Sequence, residues 1–359
     1  MLNKILPLYG IDPSASEIKA FGDGLINHTW IVKTDTGRFI LQQVNHQVFK
    51  KPFDIDHNIR LLKEYLDTVC PDYLFIAAEK DLSGKSMLQI EGAYYRLFRF
   101  VETSHSLNVA EHPEQAFEAA GQFGKFSRLL SGFDASQLRA TLPDFHNLSL
   151  RYQQFLHACD HPASAERKKI AAELISCIIE NKDIVETFEQ ISTGNEIPLR
   201  VNHHDTKISN VLFDAQEKGL CVIDLDTVMP GYFISDVGDM IRTYVCPVSE
   251  EETDMGKIEV RIDFYHAIYK GYTAQMGNTL TDNEASYFFY AGKFLIYMQA
   301  LRFLTDYLLD DVYYGSRYEG HNLNRAKNQL VLLKRYMEKE ELLKSQPQGG
   351  SRSRAADDM

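Results

Sequence analysis

Along the first hundred residues the apolar positions fall into short β-rich runs broken by turn residues. Thr29 to Lys33 and Arg38 to Val44 flank Thr34-Asp35-Thr36-Gly37, whose Asp and Gly suit a hairpin connection. Asn58 to Val69 switches to helical spacing, with Ile59, Leu62 and Leu66 on one face. Leu88 to Ile90 and Ala93 to Val101 straddle Glu91-Gly92 and predict a second hairpin. Beyond Pro113 the pattern becomes helical: Ala116, Ala120, Phe123, Phe126 and Leu130 share one face. Ser164 to about Ile191 carries Ile170, Leu174, Cys177, Ile178 and Ile184 at the same period. Thr281-Asp282-Asn283-Glu284 is a capping-box sequence opening a long helix to about Leu309. Leu323, Ala326, Leu330, Leu333 and Met337 form a last apolar stripe. The pattern predicts an α+β chain: a small β-rich N-lobe over residues 1–101 and a large, mainly helical C-lobe over 102–344. Residues 345–359, rich in Gln, Pro, Gly, Ser and Arg, read as a disordered tail.

The bulk composition narrows the function classes. A chain of 359 residues suggests about two domains, and 44% hydrophobic with 25% charged residues is an ordinary globular balance. Fifty acidic against 38 basic residues leave a formal charge of -12, which argues against nucleic acid and anionic membrane as partners. The five cysteines are widely spaced with no Cys-x-x-Cys pair, so free thiols in a reducing cytoplasm are the better reading than a disulfide or zinc framework. Neither a signal peptide nor a membrane-spanning run is expected, and the oligomeric state is left open.

The chemistry concentrates in Val201-Asn202-His203-His204-Asp205-Thr206-Lys207-Ile208-Ser209-Asn210, which has the His-x-Asp-x-Lys-x-x-Asn spacing of a kinase catalytic loop. Phosphoryl transfer passes through a loose transition state, so a protein mostly positions reactants and neutralises charge. Asp205 would align an acceptor hydroxyl and take its proton. Lys207 would stabilise charge on the transferred group. Asn210 offers a neutral oxygen for Mg²⁺, a hard cation that prefers oxygen ligands. Asp224 follows fourteen residues later, and the hairpin predicted between the two would set them side by side as ligands of one metal. Asp236 either braces the loop or caps a helix. Asp226 is either a supporting partner or a substrate contact.

Upstream, Gly22-Asp23-Gly24 with Asn27 and His28 precedes the first strand. Its glycines would let backbone amides approach phosphate oxygens.

The order of these motifs resembles the aminoglycoside phosphotransferase and choline kinase superfamily, and within it the bacterial N-acetylhexosamine 1-kinases. The matching segments include Gly22-Asp23-Gly24-x-Ile26-Asn27, Ile40 to Asn45, Phe133 to Leu138, Ile197 to Val201, Asp205-Thr206-Lys207, Ile223 to Gly231 and Arg302 to Leu308. They span about residues 20 to 340. The resemblance implies a bilobal protein-kinase-like fold, ATP with Mg²⁺, and phosphorylation of the anomeric hydroxyl of N-acetylglucosamine or N-acetylgalactosamine. It carries the base role to Asp205 and metal roles to Asn210 and Asp224.

One position departs from the wider pattern. Where the third strand normally supplies a Lys or Arg to the α/β-phosphates, this chain has Gln42, and Asn58-Ile59-Arg60 stands where its Glu partner is expected. The clamp is then expected to rest on Mg²⁺, Lys207 and the Gly-rich turn. For the acceptor, Arg302 and Asp306 share a helix face four residues apart. They are either a local ion pair or partners for sugar hydroxyls and an acetamide oxygen. Tyr313 and Tyr314 would stack on a sugar ring or simply line a surface loop, and His28 would reach the acceptor from the Gly-rich turn. Two alternatives stay open: a kinase for another metabolite (choline, homoserine or an aminoglycoside), with Asp310-Asp311 and the tyrosines resembling a cage for a cation, or a nucleotide-binding pseudoenzyme.

Overall fold

Two antiparallel hairpins build the small lobe, and in the computed structural model, which describes residues 1–22, 26–194 and 196–345, they join in one five-stranded sheet of order β1-β2-β3-β5-β4. The strands are β1 (Glu17–Ala20), β2 (His28–Thr34), β3 (Gly37–Val44), β4 (Leu88–Ile90) and β5 (Ala93–Arg99). Thr34 pairs with Gly37, so Asp35-Thr36 is the two-residue turn that the sequence predicts. Ile90 pairs with Ala93, and both turn residues between them, Glu91 and Gly92, have positive φ (51° and 79°). That combination matches the twist of the flanking strands. One face of the sheet buries Val32, Leu41, Tyr95 and Leu97 against Ile5 and Leu6 from the N-terminal turn.

The other face looks toward the helical lobe. The helices are α1 (Leu2–Ile5), α2 (Pro52–Val69), α3 (Pro113–Leu129), α4 (Leu148–Asp160), α5 (Ala165–Ile170), α6 (Ala172–Glu180), α7 (Asp183–Thr193), α8 (Phe233–Tyr244), α9 (Ile262–Met276), α10 (Asp282–Ser286), α11 (Phe288–Leu308), α12 (His321–Glu338) and α13 (Glu340–Lys344). α2 starts six residues before the predicted Asn58, with Pro52 at its first turn, where a missing N–H costs nothing. Its Ile55, Ile59, Leu62 and Leu66 belong to the large core and not to the sheet's small one. Asn58 fixes this attachment: its amide donates to the carbonyls of Arg139 (2.8 Å) and Val228 (2.9 Å), and its Oδ1 accepts from the Arg139 N–H.

Two helical expectations change. The stretch from Ser164 to about Ile191 is three helices, α5 to α7. At the second break the Asn181 side chain donates to the Cys177 carbonyl (2.8 Å), offering that oxygen an alternative to the helical ladder. The capping box at Thr281 is present on both sides, but it caps the short α10, and a tightened turn at Tyr287 (ψ 5°) separates it from α11. α11 is apolar almost all round, as expected of a helix at the centre of the larger lobe. The predicted tail lies outside the described residues, apart from Ser345.

Two small two-stranded ribbons carry the site. β6 (Arg200–Asn202) pairs with β9 (Met229–Gly231), and β7 (Val211–Phe213) pairs with β8 (Gly219–Val222). β6 is anchored by Arg200, whose guanidinium meets the buried Glu284 carboxylate at 2.5 and 2.8 Å.

Candidate active site

The loop His203 to Asn210 leaves β6 and is pinned to α8 by side-chain carboxylates. Asp236 accepts from the backbone N–H of His203 (2.9 Å) and of His204 (2.8 Å), one to each oxygen. Asp239 accepts from the Thr206 N–H (2.9 Å), the Thr206 hydroxyl donates to the Asp236 carbonyl, and the Tyr244 hydroxyl donates to the Thr206 carbonyl (2.6 Å). Asp236 lies inside α8 and caps nothing, so of its two sequence readings the brace is the one the structure realises. The pinning matters because His204 has φ of 66°, a region costly for a residue with a Cβ. His203 is a core histidine: its Nε2 meets the Ile223 carbonyl (2.9 Å), and Phe123 approaches its ring edge-on.

Four of the predicted site residues converge at the end of this loop. Lys207 Nζ lies 2.9 Å from Asp205 Oδ1, and the Asn210 amide donates to Asp205 Oδ2 (3.0 Å) and to the Asp205 carbonyl (2.8 Å). Burial opposes ionisation of Asp205, but the Lys207 charge and hydrogen bonds outweigh it and hold the carboxyl below its ordinary range. Reciprocally, Asp205 raises the Lys207 pKa. The β7–β8 hairpin closes as predicted: the Ile223 N–H donates to the Asn210 carbonyl (2.9 Å), which sets Asp224 beside Asn210.

Asp224 has φ of 58° and ψ of 59°, a left-handed conformation that turns the chain sharply out of β8. Its side chain reaches solvent but is enclosed by the walls of the cleft. That desolvation, with the charges of Asp226 and Asp205 nearby, lifts its pKa to about 7. A carboxylate made this uncomfortable by its neighbours is suited to a divalent cation. Asn210 spends its amide nitrogen on Asp205, leaving its oxygen for a metal. Among the described residues no cluster of three or more His, Cys, Asp or Glu is arranged to hold a metal alone. The donor set therefore fits Mg²⁺ shared between Asn210, Asp224, phosphate oxygens and water.

On the small-lobe side, Gly22 is exposed with φ of 77° and open space where a Cβ would be, as a close backbone approach requires. Asp23 and Gly24 lie outside the described residues. Asn27 links the lobes: its amide donates to Asp226 Oδ2 (2.9 Å), and its oxygen accepts from the Asn45 N–H. Gln42 accepts through Oε1 from Arg96 Nε (3.1 Å) and Nη2 (2.9 Å). Arg96 in turn meets Asp226 at 2.5 Å, with both side chains almost wholly buried. Asp226 is thus a partner of the small lobe and faces away from solvent.

The acceptor candidates divide. Arg302 lies near the rings of Tyr314 (5.4 Å), Phe145 (5.6 Å) and Tyr313 (5.7 Å) and donates to the Tyr313 hydroxyl (3.3 Å). The Arg302–Asp306 pairing expected from their spacing is not made. Asp306 is buried and accepts from the backbone N–H groups of Tyr313 (2.7 Å) and Tyr314 (2.9 Å) and from the Asn322 amide (3.1 Å). It therefore shapes the tyrosine loop from behind, with no oxygen turned toward a ligand. His28 is exposed at the start of β2, 6.4 Å from the Trp30 ring. A cavity of about 810 Å³ opens behind the catalytic loop. Its wall includes Phe145, His146, His204 and Ser235, with the two histidines meeting on the Ser235 hydroxyl.

Comparison with known proteins decides the family. Residues 17–270 match the family model described as phosphotransferase enzyme family. The chain belongs to this phosphotransferase family. Its fold is similar to a spectinomycin phosphotransferase solved with ADP and spectinomycin (14% identity, TM-score 0.60, covering 95% of this chain and 98% of that one). It is similar to a microcompartment-associated aminopropanol kinase (15%, TM-score 0.66, 95% and 98%) and to a choline kinase from Cryptosporidium parvum (13%, TM-score 0.54, 93% and 93%). At these identities the likeness shows the shared bilobal, kinase-like fold.

One residue of this phosphotransferase's cleft escapes sequence reasoning altogether. Arg96 stands directly across from Gln42 in the β3–β5 register. Its signal was a cation set between Tyr95 and Leu97, on the face those two residues avoid, in the middle of a strand whose other cation, Arg99, stands at its end.

Proposed function

We propose that this phosphotransferase is an ATP-dependent kinase of N-acetylhexosamines, transferring the γ-phosphate to the anomeric 1-hydroxyl to give the sugar 1-phosphate and ADP. The carrying observation is the convergence of Asp205, Lys207, Asn210 and Asp224 at one point of the cleft. Asp205 is ionised by its partners and aligns the acceptor hydroxyl. The oxygen–phosphorus bond forms as the bond to the bridging oxygen of ADP breaks, and the hydroxyl proton passes to Asp205. A carboxylate held at low pKa is a weak base, and this suits a loose transition state in which the proton leaves late, from a hydroxyl more acidic than a ring alcohol. Lys207 carries charge from the transferred group. Mg²⁺, held by Asn210 and Asp224, would neutralise the phosphates when bound. Gly22 and its neighbours would admit the phosphates over a small lobe that ends near residue 101.

The acceptor assignment draws on the sequence resemblance and on charge. Arg302 beside Tyr313 and Tyr314 offers donors and aromatic faces to a neutral sugar and repels a cationic amine. Asp310 and Asp311, the carboxylates a cage for a cation would need, are both engaged by Arg167 at 2.9 and 2.7 Å. The test is ADP release with ATP, Mg²⁺ and a panel of sugars and amines. Turnover with N-acetylglucosamine or N-acetylgalactosamine is expected; turnover confined to choline, homoserine or aminoglycosides would sink the sugar assignment.

A further inference from the structure

A nucleotide's phosphates need positive charge on both sides of the cleft, and Gln42 leaves the small lobe without the cation expected there. Within the first hundred residues, Arg96 is the one buried Lys or Arg among those described. Lys4, Lys19, Lys33, Arg38 and Arg99 are all paired with exposed carboxylates on the outer surface. Leu41 and Leu97 send their side chains into the small core, so their strand neighbours Gln42 and Arg96 occupy the opposite face, toward the helical lobe.

We propose that Arg96 is the donor-side cation of this kinase, moved one strand across the sheet and set against the nucleotide phosphates by Gln42 and Asp226. Two observations carry this. The guanidinium presents Nη1, a buried donor with no hydrogen-bond partner among the described residues, while its Nη2 meets Asp226, two residues from Asp224. Such an unsatisfied donor is costly unless a ligand oxygen meets it. Its other nitrogens are fixed by Gln42 Oε1 and Asp226, so the free edge has one direction.

The residue at 42 then has a physical reason. A Lys facing Arg96 across the register would repel it, whereas a glutamine turns its amide oxygen to the guanidinium and holds it. Asp226 keeps the charge compensated before nucleotide arrives, since a buried guanidinium without a partner is strongly disfavoured. Asn27, also on Asp226, connects this arrangement to the Gly-rich turn.

The proposal rests on the kinase reading but not on the sugar, so the experiment is calorimetry of ADP and adenosine with Mg²⁺ and no acceptor. Arg96→Gln should weaken ADP by about tenfold or more, as loss of a charge-assisted phosphate contact does, and leave adenosine within about twofold. The exchange variant Gln42→Lys/Arg96→Gln, which moves the charge back by one register pair, should recover most of the ADP affinity. Because Arg96→Gln leaves Asp226 unpaired, Arg96→Gln/Asp226→Asn removes both charges and guards against simple misfolding; it should show the same selective loss of ADP. Equal weakening of adenosine and ADP would make Arg96 structural and overturn the proposal, as would unchanged ADP affinity in either variant. Failure of the unaltered protein to bind ADP would instead remove the kinase reading itself.

Discussion

Replacing Asp236 by Ala should damage turnover far more than nucleotide binding, although Asp236 touches neither substrate. The side chain holds two buried backbone N–H groups, those of His203 and His204, at 2.9 and 2.8 Å. A hydrogen bond to a charged group contributes roughly 1.5–3 kcal/mol, so the pair amounts to about 3–6 kcal/mol. Part of that holds His204 in its left-handed conformation, which by itself costs of order 1–3 kcal/mol. Against a total stability of about 5–15 kcal/mol the protein should still fold, with a midpoint lowered by about 4–8 °C. The loop would relax toward ordinary φ and shift Asp205, and a misplacement of about 1 Å costs on the order of a hundredfold in rate. Thermal melts, kcat and ADP affinity are the three measurements. Asp236→Asn should fall between, because its amide nitrogen can no longer accept from one of the two N–H groups. A variant with unchanged melting and turnover would refute the bracing role; an equal loss of ADP affinity would show that the damage is not confined to the loop.

Three further outcomes follow from the site. Asp205→Asn should lower turnover by about a hundredfold or more while ADP binds almost as before; near-normal activity would remove Asp205 from the reaction. Asp224, with its pKa raised to about 7, holds a proton in the folded protein that the unfolded chain releases. Metal-free stability should therefore fall as pH rises from about 4 through 7, and Mg²⁺ affinity should weaken on acidification below about 7, since the metal must displace that proton. Asp224→Asn should abolish both dependences in melts and metal titrations. Glu284→Gln breaks the buried pair with Arg200 and should cost about 3–5 kcal/mol in a denaturant titration, because it leaves a buried guanidinium uncompensated.

What could be read from the sequence was whatever depends on local spacing. Asp205, Lys207 and Asn210 lie within one turn-and-loop segment, and the hairpin to Asp224 spans fourteen residues with clear turn chemistry, so their convergence was visible. Arg96 was not, because its meaning depends on which strand lies beside it, and Gln42 is 54 residues away. The Arg302–Asp306 spacing correctly put both on one helix but could not show that the following loop folds back over the last turn and takes up the Asp306 carboxylate. The breaks near Ala171, Asn181 and Tyr287 interrupt periodic apolar patterns without any Gly or Pro, since single side-chain and turn adjustments within an apolar face leave the pattern unchanged.

The loop that carries Tyr313 and Tyr314 is tied down by side chains, with Arg167 on Asp310 and Asp311 at its start. Asp306 receives two of its backbone N–H groups, and Asn322 bridges Asp306, Asp311 and the Gly315 carbonyl. Asp310, Asp311 and Gly315 supply the positive φ angles that turn the chain. An aromatic wall built this way loses little freedom when a ligand arrives, so its cost of ordering is met during folding and not during binding. Under the proposed function such a wall would select by refusal, an acceptor of the wrong outline meeting a loop backbone that does not move aside. Widening the acceptor range would then require loosening Asp306 or Asn322, residues that never meet the acceptor, before altering any that do.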